Sequence, residues 1–193
     1  MSSNSRSRIL VEAESQFGQN GFAGTRLSSI ASAAGLGNAG LLHHFPSKAA
    51  LYRAVLDTIA ADLDSRYQIE DQIVDPVAKL KELIDGLLTM ARERPNAMAI
   101  IAHEFLDQSG RIEGAEILPL AGIVKDTIAI LQAGQKAGTV RHGDPVAMTA
   151  AFHGAIIIGS LGRTIYGRTG GVQPSGSWDV ELAQSALASV LTI

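Results

Sequence analysis

A glycine that separates two short apolar helical segments constrains this chain more than any other feature. The first segment, 27–34, places its apolar residues on one helical face, and Gly35 follows where a left-handed residue would end the helix. The second segment, 38–45, ends at Pro46 because proline cannot continue the helical hydrogen-bond ladder. Two short helices joined by a tight glycine turn are the geometry that places one helix in the DNA major groove.

Longer helices are predicted on both sides of this pair. The apolar spacing before it predicts a helix from about Ser5 to Gln19, which Gly21 ends. After Pro46, Ser47 is a helix cap, and the pattern predicts a fourth helix from Lys48 towards residue 67. The first 56 residues therefore form a compact helical unit around a helix-turn-helix.

This stretch resembles the DNA-binding domain of the TetR family of transcriptional regulators. The resemblance implies a three-helix DNA-binding domain over residues 1–56, and a helical ligand-binding and dimerisation domain over residues 57–193. The family usually has serine, lysine and an aromatic residue where this chain has Gly37, Asn38 and Leu42, so two common phosphate contacts are absent. The resemblance rests on these residues: Ile9 to Phe17, Gly21, Phe22, Thr25, Leu27, Ile30, Ala31, Ala34, Gly35, Leu41, His43, Phe45, Pro46, Ser47, Lys48 and Leu51.

The helix over 38–44 is the candidate reader of DNA bases. Asn38 can form two hydrogen bonds with an adenine edge, and a histidine can donate to guanine acceptors or to phosphate. Lys48 and the pair Thr25 and Arg26 stand at helix N-termini, where they could hold phosphates. His43 and His44 could instead be a solvated helix end, and Arg26 a free surface charge. The predicted DNA-binding residues are Thr25, Arg26, Gly37, Asn38, Gly40, Leu42, His43, His44 and Lys48.

The distribution of charge favours this assignment. The chain has a net charge of −3, but residues 1–56 carry five basic and two acidic side chains, whereas residues 57–193 carry eleven and seventeen. The first segment is therefore the part that attracts phosphates. Arg6 and Arg8 lie at the very start of the predicted first helix, where they could reach DNA or form a disordered basic tail.

The remaining sequence predicts an all-α protein of nine or ten helices. Apolar residues recur at helical spacing, and no alternating strand pattern is found. Gly138 is predicted to close one long helix, and Asp144-Pro145 to open another. The stretch 115–118 is predicted to be a short separate segment.

An apolar effector pocket is predicted within the second domain. The pattern favours a hydrogen-bonded core histidine at His103 and at His153, and the alternative is that one of them orients the ligand with a polar contact. No metal site, cofactor or catalytic group is predicted, since His103-Glu104 lacks a second histidine at metal-binding spacing. The predicted ligand-binding residues are Leu87, Met90, Met98, Ile101, Ala102, His103, Phe105, Val124, Ile128, Phe152, His153 and Ile156.

The helices 119–137 and 145–166 are predicted to form the subunit interface. The second is rich in small residues, including Gly154 and Gly159, which let helices approach closely, and only 18% of the chain is charged. The family resemblance implies a four-helix bundle across a two-fold axis. The alternative is that both are internal core helices.

Compartment and function follow from the same features. The chain has no cysteine, and its first residues lack the apolar core of a signal peptide. We also expect no apolar run to approach the length of a membrane span. These features predict a cytoplasmic protein. The most consistent function is a homodimeric DNA-binding regulator, a repressor released from a palindromic operator by a small hydrophobic molecule. The alternatives are a small all-α enzyme and a DNA-binding protein without a ligand.

Overall fold

The computed structural model of the chain describes residues 2–66, 74–106 and 121–192. Within these ranges the chain is helical, without strands, as the sequence predicts, and a single isolated β-bridge joins Val140 to Leu191. The predicted segment 115–118 lies outside the described residues. The helices are α1 (Ser2–Gly24), α2 (Leu27–Ala33), α3 (Asn38–His44), α4 (Lys48–Arg66), α5 (Pro76–Glu93), α6 (Pro95–Leu106), α7 (Ala121–Ala137), α8 (Pro145–Gly170) and α9 (Trp178–Ala188).

The chain divides by packing into two compact units. The first comprises Met1–Ala61 and Arg94–Pro119, and the second comprises Asp62–Glu93 and Leu120–Ile193. The helix α6 therefore belongs to the unit that contains the helix-turn-helix. The predicted domain boundary at residue 56, inside the fourth helix, stays a prediction.

The turn between α2 and α3 has the geometry that the sequence predicts. Gly35 has φ of 71°, in the left-handed region, and its N–H donates to the carbonyl of Ser32. The N–H of Leu36 donates to the carbonyl of Ala31, which completes a Schellman motif. The buried Ile30 and Leu41 fix the two helices against the core of the first unit.

The helix α1 is kinked at Gly21, which has a φ of 68° and a ψ of 174°. The sequence predicts that the first helix ends at Gly21, and the backbone of Gly21 is indeed not helical. A short helical segment follows the kink, up to Gly24. Just before the kink, α1 lies very close to α6. A Cβ atom at Gly18 would be only 2.7 Å from the carbonyl oxygen of Asn96, so only glycine fits this crossing.

Two polar contacts also hold α6 within the first unit. Arg94 forms an ion pair with Glu14 on α1. The hydroxyl of Tyr52 on α4 donates to a carboxylate oxygen of Glu104 at 2.7 Å. Tyr52 in turn packs edge-on against the rings of Phe17 and Phe22, so α1 and α4 share one aromatic cluster, which the Tyr52 hydrogen bond joins to Glu104 on α6.

The second unit is built around α5, α7 and α8, which pack against one another, with α9 against α8 and α5. The Asp144 side chain caps α8 by accepting from the N–H of Val146 at 3.0 Å, with Pro145 in the first turn, as predicted. Gly138, with φ of 75°, closes α7 as predicted.

The helix α8 exposes an apolar stripe along most of its length. Its exposed members recur every three or four residues and so share one helical face. The stripe consists of Ala147, Ala150, Ala151, Gly154, Ile158, Leu161 and Ile165. By length and composition alone this helix could cross a membrane, since an 18-residue window has a mean hydropathy of 1.4. The expectation that no apolar run approaches a membrane span therefore does not hold for α8.

Two details of the predicted interface differ from the structure. Gly159 faces α9 within the same unit, because a Cβ atom there would be 2.6 Å from a methyl of Leu182, and its carbonyl accepts from the Trp178 indole. The apolar residues of α7, such as Ile123, Ile130 and Leu131, are buried inside the second unit. Of the two helices predicted for the interface, α8 alone carries an exposed apolar stripe in the described part of the chain.

Candidate nucleic-acid interface

The helix α3 presents its polar side outwards and its apolar side inwards, as the sequence predicts. Leu41 and Phe45 are buried, whereas Gly37, Asn38, Leu42 and His43 are exposed. The predicted Gly40 and His44 are half-buried. The rings of His43 and His44 lie edge to face at 5.6 Å, at the C-terminal end of the helix. The exposed side therefore offers one amide and two imidazoles to a partner.

The N-terminus of α2 carries two predicted phosphate contacts that differ in exposure. The Thr25 side chain is only 3% exposed, and its hydroxyl lies 2.8 Å from the carbonyl of Gly21 and 3.0 Å from that of Gln16. Its hydroxyl is therefore used inside the unit, where it stabilises the kink in α1. Arg26, by contrast, is exposed and makes no side-chain cap.

Lys48 begins α4, but its ammonium group points towards the end of α1. The Nζ atom lies 3.4 Å from the carbonyl oxygen of Ala23 and 4.6 Å from the centroid of the Phe22 ring. A carbonyl at a helix end and an aromatic face are both favourable neighbours for a cation. The α4 cap itself is as predicted, because Ser47 Oγ accepts from the N–H of Ala50 at 3.0 Å.

The two arginines near the N-terminus lie within α1. The helix begins at Ser2, so Arg6 and Arg8 are helical and do not form a disordered tail. The Arg6 guanidinium lies over the Phe45 ring, 5.1 Å from its centroid, beside the end of α3. Sequence reasoning missed this position of Arg6, because the contact joins residues far apart in the chain.

Seven of the predicted effector-binding residues belong to the second unit. Leu87, Met90, Phe152, His153 and Ile156 are buried, and Val124 and Ile128 are half-buried. The helices that carry them, α5, α7 and α8, are in mutual contact. These seven residues thus lie on three helices that pack against one another.

The other five predicted effector-binding residues lie on α6 in the first unit. Met98, Ile101 and Ala102 are buried there, and Phe105 is 47% exposed. His103 is half-buried and faces the kink of α1, with its Nδ1 atom 3.4 Å from the place of a Cβ atom on Gly21. Whether these residues contact an effector stays a prediction.

An open groove between α5 and α9 was missed by the sequence analysis. It has a volume of about 400 Å³, and the ion pair between Arg92 and Asp179, at 3.3 Å, lies on its rim. No residue of the predicted pocket lines it. The lining residues are Lys81, Ile84, Asp85, Leu88, Thr89, Arg92, Asp179, Val180, Ala183, Gln184 and Leu187.

His153 is a buried polar group in the core of the second unit. It is 3% exposed, and its Nε2 atom lies 2.9 Å from the Thr127 hydroxyl. Because that hydroxyl donates to the carbonyl of Ile123 at 2.7 Å, it accepts from the imidazole. Burial lowers the pKa of His153 to about 4, so the ring is neutral at pH 7.

We expect acidification to destabilise the protein through His153. Between pH 6.5 and about 4 the unfolded histidine binds a proton that the folded one excludes. The stability conferred by the neutral ring is therefore lost as the pH falls, by up to about 3 kcal/mol. Urea unfolding should be measured from pH 7 to 4. The unfolding free energy of His153→Gln, which keeps a donor for Thr127, should fall less over this range than that of wild type.

The control is His142→Gln, at an exposed position, and its unfolding free energy should depend on pH as in wild type. If the unfolding free energy of His153→Gln falls as steeply as that of wild type, this assignment is contradicted.

In the described residues the chain is all-α, and α3, which follows the Gly35 turn, has an exposed polar side. These features are those of the helix-turn-helix class of DNA-binding proteins. Residues 9–55 match the bacterial regulatory proteins of the tetR family. The chain is 33% identical over 137 residues to the HTH-type transcriptional regulator RutR of Escherichia coli K12, covering 71% of this chain and 65% of RutR. The alignment thus spans just under two thirds of RutR. The match over residues 9–55 identifies this segment as a DNA-binding domain of the TetR family of transcriptional regulators.

Two further proteins are similar to this chain. The HTH-type transcriptional repressor NicS of Pseudomonas putida is 28% identical over 159 residues, covering 81% of this chain and 73% of NicS. The crystal structure of AibR in complex with isovaleryl coenzyme A and operator DNA has a TM-score of 0.73 at 21% identity. That comparison covers 95% of this chain and 96% of AibR, and it concerns the fold alone.

Proposed function

We propose that this protein is a homodimeric, cytoplasmic transcriptional repressor that a small hydrophobic molecule releases from its operator DNA. The observation that carries this proposal is the exposed polar side of α3 after the Gly35 turn. A helix held in this way can enter the major groove, where Asn38 and His43 reach base edges. The relatives support the assignment, since RutR is a transcriptional regulator and NicS a transcriptional repressor.

Two recognition helices are needed for tight and specific binding. Half-sites one helical turn apart require the two α3 helices to lie about 34–36 Å apart. The apolar stripe on α8 provides a self-complementary surface for such a dimer, because burying it removes apolar area from water. Only 33% of the most hydrophobic 18-residue window of α8 is buried within the chain. Pairing of two α8 helices would bury more of this apolar surface.

Release from DNA requires that the effector prefer a different arrangement of the recognition helices. A ligand shifts this equilibrium only by its differential affinity for the two states, a coupling of typically about 1–3 kcal/mol. The buried apolar residues of α5, α7 and α8 are our proposed contacts for an apolar ligand, with His153 as the polar group. AibR, which was crystallised with isovaleryl coenzyme A and operator DNA, is a precedent within this fold.

A gel-shift experiment on the DNA upstream of the gene for this chain tests the proposal. We expect the full-length protein to bind one segment containing an inverted repeat, and small hydrophobic molecules should be screened for release. Isovaleryl coenzyme A, a larger and charged compound with an apolar acyl end, should be tested beside them. Specific binding that no compound reverses would favour a ligand-independent DNA-binding protein. Absence of specific binding would contradict a DNA-binding function and favour the enzyme alternative.

We expect Asn38→Ala to relax the sequence preference of the protein. The exposed amide can form a bidentate contact with adenine, and its loss should cost about 1–3 kcal/mol at one base pair per half-site. Binding to operators substituted at each position should show that only one position becomes tolerant. A matched Ser28→Ala change on the exposed side of α2 should retain the preference. A uniform loss for all sequences in Asn38→Ala would instead indicate a contact with the DNA backbone.

A further inference from the structure

We propose that Arg6 on α1 holds a DNA phosphate beside the recognition helix. This inference rests on the proposed DNA-binding function and assigns a permanently charged contact, which α3 itself cannot supply. The sequence of α3, NAGLLHH, contains two histidines but neither lysine nor arginine. A permanent cation beside α3 must therefore come from another element.

Two residues at the neighbouring helix starts have their polar groups directed inwards. The Lys48 ammonium lies at the Ala23 carbonyl and the Phe22 ring. The Thr25 hydroxyl is buried against two carbonyls of α1. Both side chains stabilise the end of α1, so a phosphate would have to share the Lys48 ammonium with the Ala23 carbonyl, and the Thr25 hydroxyl is buried.

Arg6 is placed differently. It is exposed, it lies on the first turns of α1, and its guanidinium sits over the Phe45 ring at the C-terminal end of α3. In the described part of the chain it takes part in no ion pair, whereas Arg94, just before α6, is paired with Glu14. Its charge is thus fixed beside α3 and is not neutralised by a carboxylate.

The geometry of this contact suits phosphate recognition. An aromatic ring holds the face of a guanidinium by a cation–π interaction, while the N–H groups project from its edge. Those N–H groups match two oxygens of a phosphate, and the ring restricts the side chain before DNA binds. Phe45 therefore positions Arg6, and Arg6 supplies the charge.

A purely structural role for Arg6 predicts different behaviour. A cation near the C-terminal end of α3 also stabilises that helix through its dipole. In that case the loss of Arg6 lowers the melting temperature and leaves the salt dependence of DNA binding unchanged. A phosphate contact instead changes the salt dependence, because each one releases counterions.

The test measures operator affinity of the full-length protein against salt for Arg6→Gln, Arg6→Lys and Arg168→Gln. Arg168 is exposed on α8, so its change removes the same charge from another part of the chain. The slope of log affinity against log salt concentration should become less steep by about 1.8 per dimer in Arg6→Gln, because two phosphate contacts are lost. The ratio of wild-type affinity to Arg6→Gln affinity should therefore fall about twelvefold between 50 and 200 mM salt. This decrease should be the same on operator and on scrambled duplex. Arg6→Lys should retain the slope, and Arg168→Gln should match wild type.

Several outcomes would overturn the contact. The first is an unchanged salt slope in Arg6→Gln, whether or not the melting temperature falls. The second is an equal decrease of the slope in Arg168→Gln. The third is a changed base preference in Arg6→Gln without a change of the slope. A wild-type protein that binds no DNA would contradict the proposed function itself. The wild-type titration thus separates failure of that function from failure of the Arg6 contact.

Discussion

Replacing Ile158 with aspartate is expected to convert the protein into a monomer and to abolish specific operator binding. Ile158 is 43% exposed in the middle of the α8 stripe, between Gly154 and Leu161. In a dimer joined along this stripe, the new carboxylate would be buried without a partner, at a cost of several kcal/mol. In an isolated subunit the same carboxylate would remain in water, so the fold should persist.

Sedimentation velocity and operator binding should be measured together for this variant. The matched control is Thr164→Asp, which adds the same charge to an exposed position of α8 that lies off the stripe. The control should stay dimeric and bind operator as wild type does. An Ile158→Asp protein that remains dimeric and binds operator would show that the stripe is not the interface. Gly159 is unsuitable for this test because it packs against Leu182 in its own subunit.

Features set by a few neighbouring residues could be predicted from the sequence. The Gly35 turn, the Ser47 cap and the Asp144-Pro145 helix start each depend on hydrogen bonds within five residues, and all have the predicted geometry. The inward side of α3 was also predictable, because apolar spacing fixes which residues share a helical face. Local chemistry was therefore sufficient for the helix-turn-helix.

Contacts between distant residues could not be predicted in the same way. Lys48 is at a helix start, where the sequence favours a phosphate contact, yet it lies beside a carbonyl 25 residues earlier. The face of α8 that meets α9 was equally hidden, because α8 is apolar on several sides and periodicity cannot select one of them. Gly159 and Ile158 are neighbours in sequence, but only the fold separates an internal contact from an exposed one.

The effector site shows a further limit of sequence reasoning. Apolar spacing identified residues of the interior, and most of them are buried, but burial alone does not distinguish a ligand pocket from an ordinary core. His153 illustrates this, since its hydrogen bond with Thr127 suits a core histidine and a ligand-orienting one alike. The groove between α5 and α9 could not be foreseen, because its lining alternates charged and apolar residues from two distant helices.

Gly18→Ala is expected to destabilise the protein and to weaken operator binding, although alanine is normally the better helix former. The new Cβ atom would lie 2.7 Å from the Asn96 carbonyl oxygen and 2.8 Å from its Cα, so α1 and α6 must separate. Because both neighbours are backbone atoms that cannot rotate away, we expect a loss of about 2 kcal/mol of unfolding free energy. The melting temperature should therefore fall by roughly 4–8 °C.

The matched control for this crossing is Gly122→Ala on α7, where a Cβ atom would meet nothing within 4 Å. That change should leave the melting temperature unchanged or slightly higher, because it adds helix propensity without a clash. Operator affinity should fall only in Gly18→Ala, since α1 packs directly on α2 of the helix-turn-helix. A melting temperature that rises in both variants would show that α6 moves away from α1 at little cost. The close crossing of α1 and α6 at Gly18 would then not be required for the packing of the DNA-binding helices α2 and α3.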